Sequence, residues 1–179
     1  PTAHGLSERS PTVVDLFCGA GGLSAGLEAA GWTTVAAVDA DEDAIATLRA
    51  SQAAELPIPG TTRRFLAGTK ILLRDIRELA ARELRPDGVV GRWRPDLLAG
   101  GPPCQPFSLS GKMRALDDPR GRLFFDFVRL AEELRPRFVL FENVAGLVTA
   151  RGPNGASGAV LRLVQRSFEK IGDRKSTRL

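Results

Sequence analysis

Cys104 stands in the run Pro102-Pro103-Cys104-Gln105-Pro106 of a 179-residue chain. Each proline fixes its own φ and pushes the residue before it toward extended backbone, so this thiol belongs to a stiff loop. A thiolate presented on such a loop at a strand end is a candidate nucleophile. The ordinary fate of a lone cysteine is an inert apolar residue. That reading suits Cys18, at the end of an apolar run, better than it suits Cys104. Glu142 follows Val139-Leu140-Phe141. A carboxylate beside such a run is expected to be partly desolvated, which favours its protonated form and lets it act as an acid. A solvated or helix-capping glutamate is the plainer alternative. His4 is the only histidine and lies in a polar lead-in, so no protease-like Cys–His pair is expected.

A second group of residues suits a nucleoside-bearing ligand. Gly19-Ala20-Gly21-Gly22 follows the apolar run Val13-Val14-Asp15-Leu16-Phe17. Glycines there let backbone approach a ligand at a strand-to-helix turn. Asp39 closes the next β-rich run and is placed to bind a ribose hydroxyl pair, and Asp75 closes a third run. The dinucleotide fingerprint wants a third small residue, ideally glycine, where this chain has Ser24. A glycine-rich turn alone marks a tight turn as often as a ligand; the acids at successive strand ends tip the reading toward a ligand.

The elements that must hold these residues alternate. Strands are predicted over 13–17, 34–38, 71–74, 96–99 and 137–141. Helices are predicted over 23–30, 41–54, 77–84, 123–134 and 159–171, with 55–68 as a loop or small insertion and 109–121 as a polar, basic loop. That alternation argues a doubly wound α/β fold with a mainly parallel sheet and helices on both faces. Ligands of such sheets sit outside the carboxyl ends of the strands, where Phe17, Asp39, Asp75, Gly101, Cys104 and Glu142 all fall.

Composition agrees with a soluble globular chain of one domain: 43% of residues are hydrophobic and 26% charged. The net charge of +4 permits an anionic partner without requiring one. No apolar run approaches the roughly 20 residues that span a bilayer, and no signal-peptide pattern opens the chain. Two cysteines and one histidine make neither a disulfide framework nor a zinc set, so no metal is expected.

Asp15-Leu16-Phe17-Cys18-Gly19-Ala20-Gly21-Gly22, Gly101-Pro102-Pro103-Cys104-Gln105-Pro106-Phe107-Ser108, Asp118-Pro119-Arg120-Gly121 and Glu142-Asn143-Val144 together resemble the cytosine-5 DNA methyltransferase family, in its order and spacing. The resemblance covers about residues 12–171 and implies a Rossmann-like fold that uses S-adenosylmethionine. It implies Cys104 as the nucleophile toward carbon 6 of cytosine and Glu142 as the partner of ring nitrogen 3. It further implies that Phe17 packs on the donor, that Gly19, Gly21 and Pro103 border it, that Asp39 holds its ribose, and that Asp75 and Ile76 meet its adenine. The DNA partner would be a duplex with its target cytosine flipped out, because a stacked base exposes neither ring face. The loop 108–120 matches the one that closes over that base, with Ser108, Ser110, Lys112 and Arg120 as phosphate contacts, which position without reading sequence.

The sequence also departs from the family. Ala40 stands where many members carry a tryptophan after the ribose-binding acid. The glutamine-arginine-arginine segment, the variable region that reads DNA and the element completing the donor pocket have no counterpart here. The resemblance therefore implies a partial catalytic domain over 12–172, after a disordered lead-in over 1–11, that does not turn over alone. Residues 173–179 resemble a translated sequencing adapter and are expected to be non-native. A complete enzyme is expected to be a monomer of the bacterial cytoplasm. A tRNA cytosine-5 methyltransferase on the same scaffold and a non-catalytic donor-binding module remain the alternatives. A nicotinamide-dependent enzyme would leave the proline-flanked cysteine without a purpose.

Overall fold

The computed structural model describes residues 9–103, 122–149 and 157–172. Residues 109–121, most of the expected lead-in and all of the expected tail lie outside them. Five strands form one sheet in the order β3-β2-β1-β4-β5. They are β1 (Thr12–Leu16), β2 (Thr33–Asp39), β3 (Lys70–Leu73), β4 (Leu97–Gly100) and β5 (Phe138–Phe141). Every pairing is parallel, as expected for strands that alternate with helices.

Helix α1 (Gly22–Ala29) packs Leu23 and Leu27 toward Val13, Leu97 and Ala99. Helix α2 (Glu42–Ala53) lies on the same face, burying Ile45 and Leu48 with Ala37. The Asp41 carboxylate caps α2 by accepting from the Ala44 N–H at 2.8 Å, and Glu42 and Asp43 sit in its first turn, where the helix dipole favours anions. Helices α3 (Arg122–Leu134) and α5 (Ala159–Lys170) cover the opposite face, over Val14, Leu16, Val38 and Leu98. Phe168 of α5 meets Phe124, Phe127 and Phe141 edge-on, a favoured aromatic geometry. A short helix, α4 (Gly146–Thr149), follows β5.

Chain order runs outward from β1 to β3, then returns to place β4 on the other side of β1. The reversal of winding puts the topological switch point between β1 and β4. Phe17 and Gly101, the residues just past those two strands, therefore border the crevice.

One element differs from expectation. No α-helix forms over 77–84; turns at 76–78 lead to a single 3-10 turn, Ala81–Leu84. Side chains bond two backbone N–H groups of the segment, of which a helix would use that of Ala80. Asp75 Oδ1 accepts from the Arg77 N–H at 2.9 Å, and Glu83 Oε1 accepts from the Ala80 N–H at 3.0 Å. Ile76, Leu79 and Leu84 still bury in the core, so the apolar spacing was real although the helix was not.

Candidate active site

The turn after β1 is built for close approach. Phe17 adopts φ 58°, a left-handed conformation unusual for a residue with a Cβ, and Gly19 follows at φ 52°. Gly21, at φ 92°, opens α1, and a Cβ on it would collide with the Leu48 side chain. The Asp39 carboxylate holds this turn to the end of β2. Its Oδ2 accepts from the Gly19 N–H at 2.8 Å, and its Oδ1 accepts from the Asp41 N–H at 2.9 Å. The Asp39 carbonyl accepts from the Arg74 N–H at 2.9 Å, which joins the end of β3 to the same edge.

Beneath the turn, Ser24 Oγ donates to Asp15 Oδ2 at 2.6 Å, both groups being buried. The serine that breaks the dinucleotide fingerprint thus serves a buried carboxyl on the neighbouring strand β1. Asp15 Oδ1 has no hydrogen-bond partner among the described residues. Burial, with a smaller contribution from the Asp39 charge, pushes the Asp15 carboxyl up to about 6 despite the Ser24 hydrogen bond. Burial and the Asp15 and Asp39 charges likewise push the Cys18 thiol up, so Cys18 is inert, as expected.

Asp75 lies half-buried past β3, and Arg77 grips its carboxylate from two residues on, which holds it below the usual carboxylate range. The Ile76 side chain is only 5% exposed and belongs to the core. A ligand at this edge would meet the backbone of residue 76 rather than its side chain.

At the far side of the switch point, the Glu142 N–H donates to the Gly100 carbonyl at 3.0 Å. The Glu142 carboxylate lies over Gly101, with Oε2 2.5 Å from where a Cβ would stand. Asn143 Nδ2 donates to the Pro102 carbonyl at 3.0 Å, and Asn143 Oδ1 accepts from the Val144 N–H at 2.9 Å. The end of β5 is thereby tied to the segment that enters the Pro-Cys-Gln-Pro run. Pro102 is buried and Pro103 exposed. Glu142 is exposed too, contrary to the expected desolvation, because it stands past the strand end and not among the apolar side chains of β5.

The fold therefore brings Phe17, Gly19, Gly21, Asp39, Asp75, Ile76, Pro103 and Glu142 to one edge of the sheet. Cys104, Ser108, Ser110, Lys112 and Arg120 lie outside the described residues. Sequence reasoning missed Asn143 as a tie and Asp15 as a buried acid. An aspartate inside an otherwise apolar run was the available signal for the latter.

Residues 11–172 match the family described as C-5 cytosine-specific DNA methylase. The chain is 39% identical over 142 residues to the type II methyltransferase M.XorII of Xanthomonas oryzae pv. oryzae, covering 79% of this chain and 30% of that protein. It is 34% identical over 172 residues to the type II methyltransferase M.Eco47II of Escherichia coli, covering 96% of this chain and 35% of that one. Among solved structures, a prophage-encoded DNA modification methyltransferase of E. coli superposes with a TM-score of 0.62 at 27% identity, over 90% of this chain and 38% of that one. The S. pombe Dnmt2 methyltransferase shares the fold, with a TM-score of 0.56 at 21% identity over 90% of this chain and 41% of its own. The chain spans between 30% and 49% of the length of the curated relatives it matches. A match over nearly the whole chain, on a parallel sheet whose switch point carries the motif residues, settles its membership: the chain belongs to the C-5 cytosine-specific DNA methylase family.

Proposed function

We propose that this chain is the donor-binding and catalytic front portion of a bacterial-type DNA cytosine-5 methyltransferase, cytoplasmic and monomeric when complete. The observation that carries the reading is the tie between β5 and β4. It sets the Glu142 side chain over Gly101, three residues before Cys104, while Asn143 Nδ2 donates to the Pro102 carbonyl.

The edge of β1–β3 fits S-adenosylmethionine. A carboxylate offers about four lone-pair sites, and Asp39 spends two on Gly19 and Asp41, which leaves others for ribose hydroxyls. The positive-φ turn from Phe17 to Gly21 brings backbone close to a ligand in the crevice. When bound, the donor supplies an electrophilic methyl group and leaves as S-adenosylhomocysteine.

Carbon 5 of cytosine is a poor nucleophile until a thiolate adds to carbon 6. In this reading the Cys104 sulfur forms that bond, and Glu142 shares a proton with ring nitrogen 3, stabilising the enamine-like adduct. After carbon 5 takes the methyl group, its proton leaves to a base and the Cys104 sulfur is eliminated, which restores the ring. Ser108, Ser110, Lys112 and Arg120 would hold phosphates of a duplex whose target base has flipped out. DNA is favoured over tRNA because the relatives at 32–39% identity are type II methyltransferases.

The test uses this chain joined to the missing carboxy-terminal part of a close relative. DNA containing 5-fluorocytosine is expected to become covalently attached, since fluorine cannot leave as a proton. Cys104→Ala should abolish both the adduct and methylation. Glu142→Gln should slow methyl transfer by roughly 10²-fold while donor affinity holds. Full methylation by the Cys104→Ala protein would overturn the assignment.

A further inference from the structure

Arg129 stands midway along α3, on neither of the two motif-bearing turns, yet its guanidinium reaches one of them. Its Nη2 donates to the Ile76 carbonyl at 2.9 Å and its Nη1 to the Leu79 carbonyl at 3.2 Å. Its remaining contacts fix the fork. Nε donates to Asp126 Oδ1 at 3.2 Å and Nη1 also donates to Glu133 Oε1 at 3.1 Å, one helical turn to either side. Two carboxylates on the helix thus aim a rigid, planar donor at two carbonyls of another segment.

Those carbonyls belong to the segment where the expected helix fails. Residues 76–79 lie in turns with few bonds of their own, Glu78 N–H to the Asp75 carbonyl at 3.1 Å and Leu79 N–H to the Ile76 carbonyl at 3.3 Å. Asp75 is engaged by Arg77 within the same segment. Ile76 and Leu79 bury against the core, but burial of two side chains does not fix where their carbonyls point. The Arg129 fork holds both carbonyls, that of Ile76 jointly with the Leu79 N–H. The same helix also packs Phe124 and Phe127 edge-on against Phe141, the residue before Glu142.

We propose that Arg129 is a positioning residue for the methyl donor: it touches no substrate, but it sets the 75–79 turn against which the adenine end of the donor rests. The proposal rests on the reading that the donor lies at the ends of β1–β3. Through α3, the turn at β3 and the end of β5 share one rigid support. Arg129 therefore affects donor affinity more than the chemical step, which belongs to Cys104 and Glu142.

The experiment compares wild type, Arg129→Met and Arg129→Lys, each joined to the carboxy-terminal part of a close relative. Hydrogen exchange is read over 75–80, and binding of S-adenosylhomocysteine by calorimetry. Loss of two charge-assisted hydrogen bonds should speed exchange at 75–80 roughly tenfold or more, with β1 and β4 amides unchanged. Donor-product affinity should fall by a similar factor. Lysine, with one compact ammonium in place of a fork, should fall between the two. In the completed enzyme, KM for the donor should rise while kcat at saturating donor stays within about twofold. Unchanged exchange at 75–80 in both variants, or a loss of protection equally spread over β1 and β4, overturns the positioning role. Faster exchange at 75–80 with affinity unchanged overturns the link to the donor. A wild-type chain that binds no S-adenosylhomocysteine counts against the donor reading, and the exchange result then decides the role of Arg129 in the turn.

Discussion

The Glu142 carboxylate rests on the backbone of Gly101, its Oε2 2.5 Å from the position a Cβ would take. The two residues lie past the ends of paired strands, since Gly100 and Phe141 are register partners of β4 and β5. Gly101 is not in the left-handed region, so its lack of a side chain answers to the space that Glu142 occupies and not to backbone conformation. A methyl group at position 101 meets the far end of a flexible side chain, which must then swing away.

Gly101→Ala is accordingly expected to fold normally and to cost activity by displacing Glu142. In the completed enzyme, single-turnover methyl transfer should slow by at least about tenfold, approaching the loss for Glu142→Gln. Affinity for the donor, proposed above to lie with β1–β3, should hold. The informative combination is Gly101→Ala with Glu142→Gln. If the glycine acts only through the glutamate, the double variant should be no slower than Glu142→Gln alone. Additive losses would mean that Gly101 serves some other contact.

Asp15 gives a pH dependence with a definite sign. Its carboxyl is fully buried and is pushed up to about 6, well above the usual carboxylate range, mainly because burial disfavours the charge. A raised folded-state pKa contributes stability that is complete below the unfolded pKa and is lost as pH rises through the folded one. Between pH 4 and pH 7.5 this group should therefore cost the native state about 2 kcal/mol. Asp15→Asn removes the titration. Urea unfolding of both chains should show the variant gaining about 2 kcal/mol relative to wild type across that interval, whatever the constant offset from the amide. Asp75, Glu83 and Asp96, whose carboxyls are held low, act in the opposite direction but cancel in the comparison. A flat difference would show that Asp15 ionises in the native state as easily as in the unfolded one.

Much of this arrangement was legible in the chain. The strands showed themselves as short apolar runs, each closed by a glycine or an acid, and parallel pairing followed from the helices between them. Three features were hidden because they depend on how side chains are placed in the fold and not on residue type or spacing. Ser24 reads as a failed glycine until Asp15 is seen buried beside it. The apolar spacing of Ile76, Leu79 and Leu84 reads as a helix until Asp75 and Glu83 are seen holding backbone N–H groups. Glu142 reads as a desolvated acid because it follows an apolar run; its exposure depends on its standing past the strand end.

The last prediction concerns β5, which pairs only with β4 and forms an edge of the sheet among the described residues. Phe138 and Leu140 are 54% and 39% exposed. Their register partners, Leu97 and Ala99, are covered by Leu23, Leu27 and Trp32, so the shelter of α1 stops one strand short. The Arg137 guanidinium lies 5.3 Å from the Phe138 ring centroid and shields one aromatic face only. An unpaired strand edge beside exposed apolar side chains is a template for association. The 179-residue chain is therefore expected to aggregate, and Phe138→Lys with Leu140→Thr should raise its soluble, monomeric fraction several-fold by size-exclusion chromatography. Phe141 points the other way, into Phe124, Phe127 and Phe168, so Phe141→Lys should unfold the chain instead. Equal aggregation of wild type and the Phe138/Leu140 double variant, both shown to be folded by circular dichroism, would place the sticky surface elsewhere.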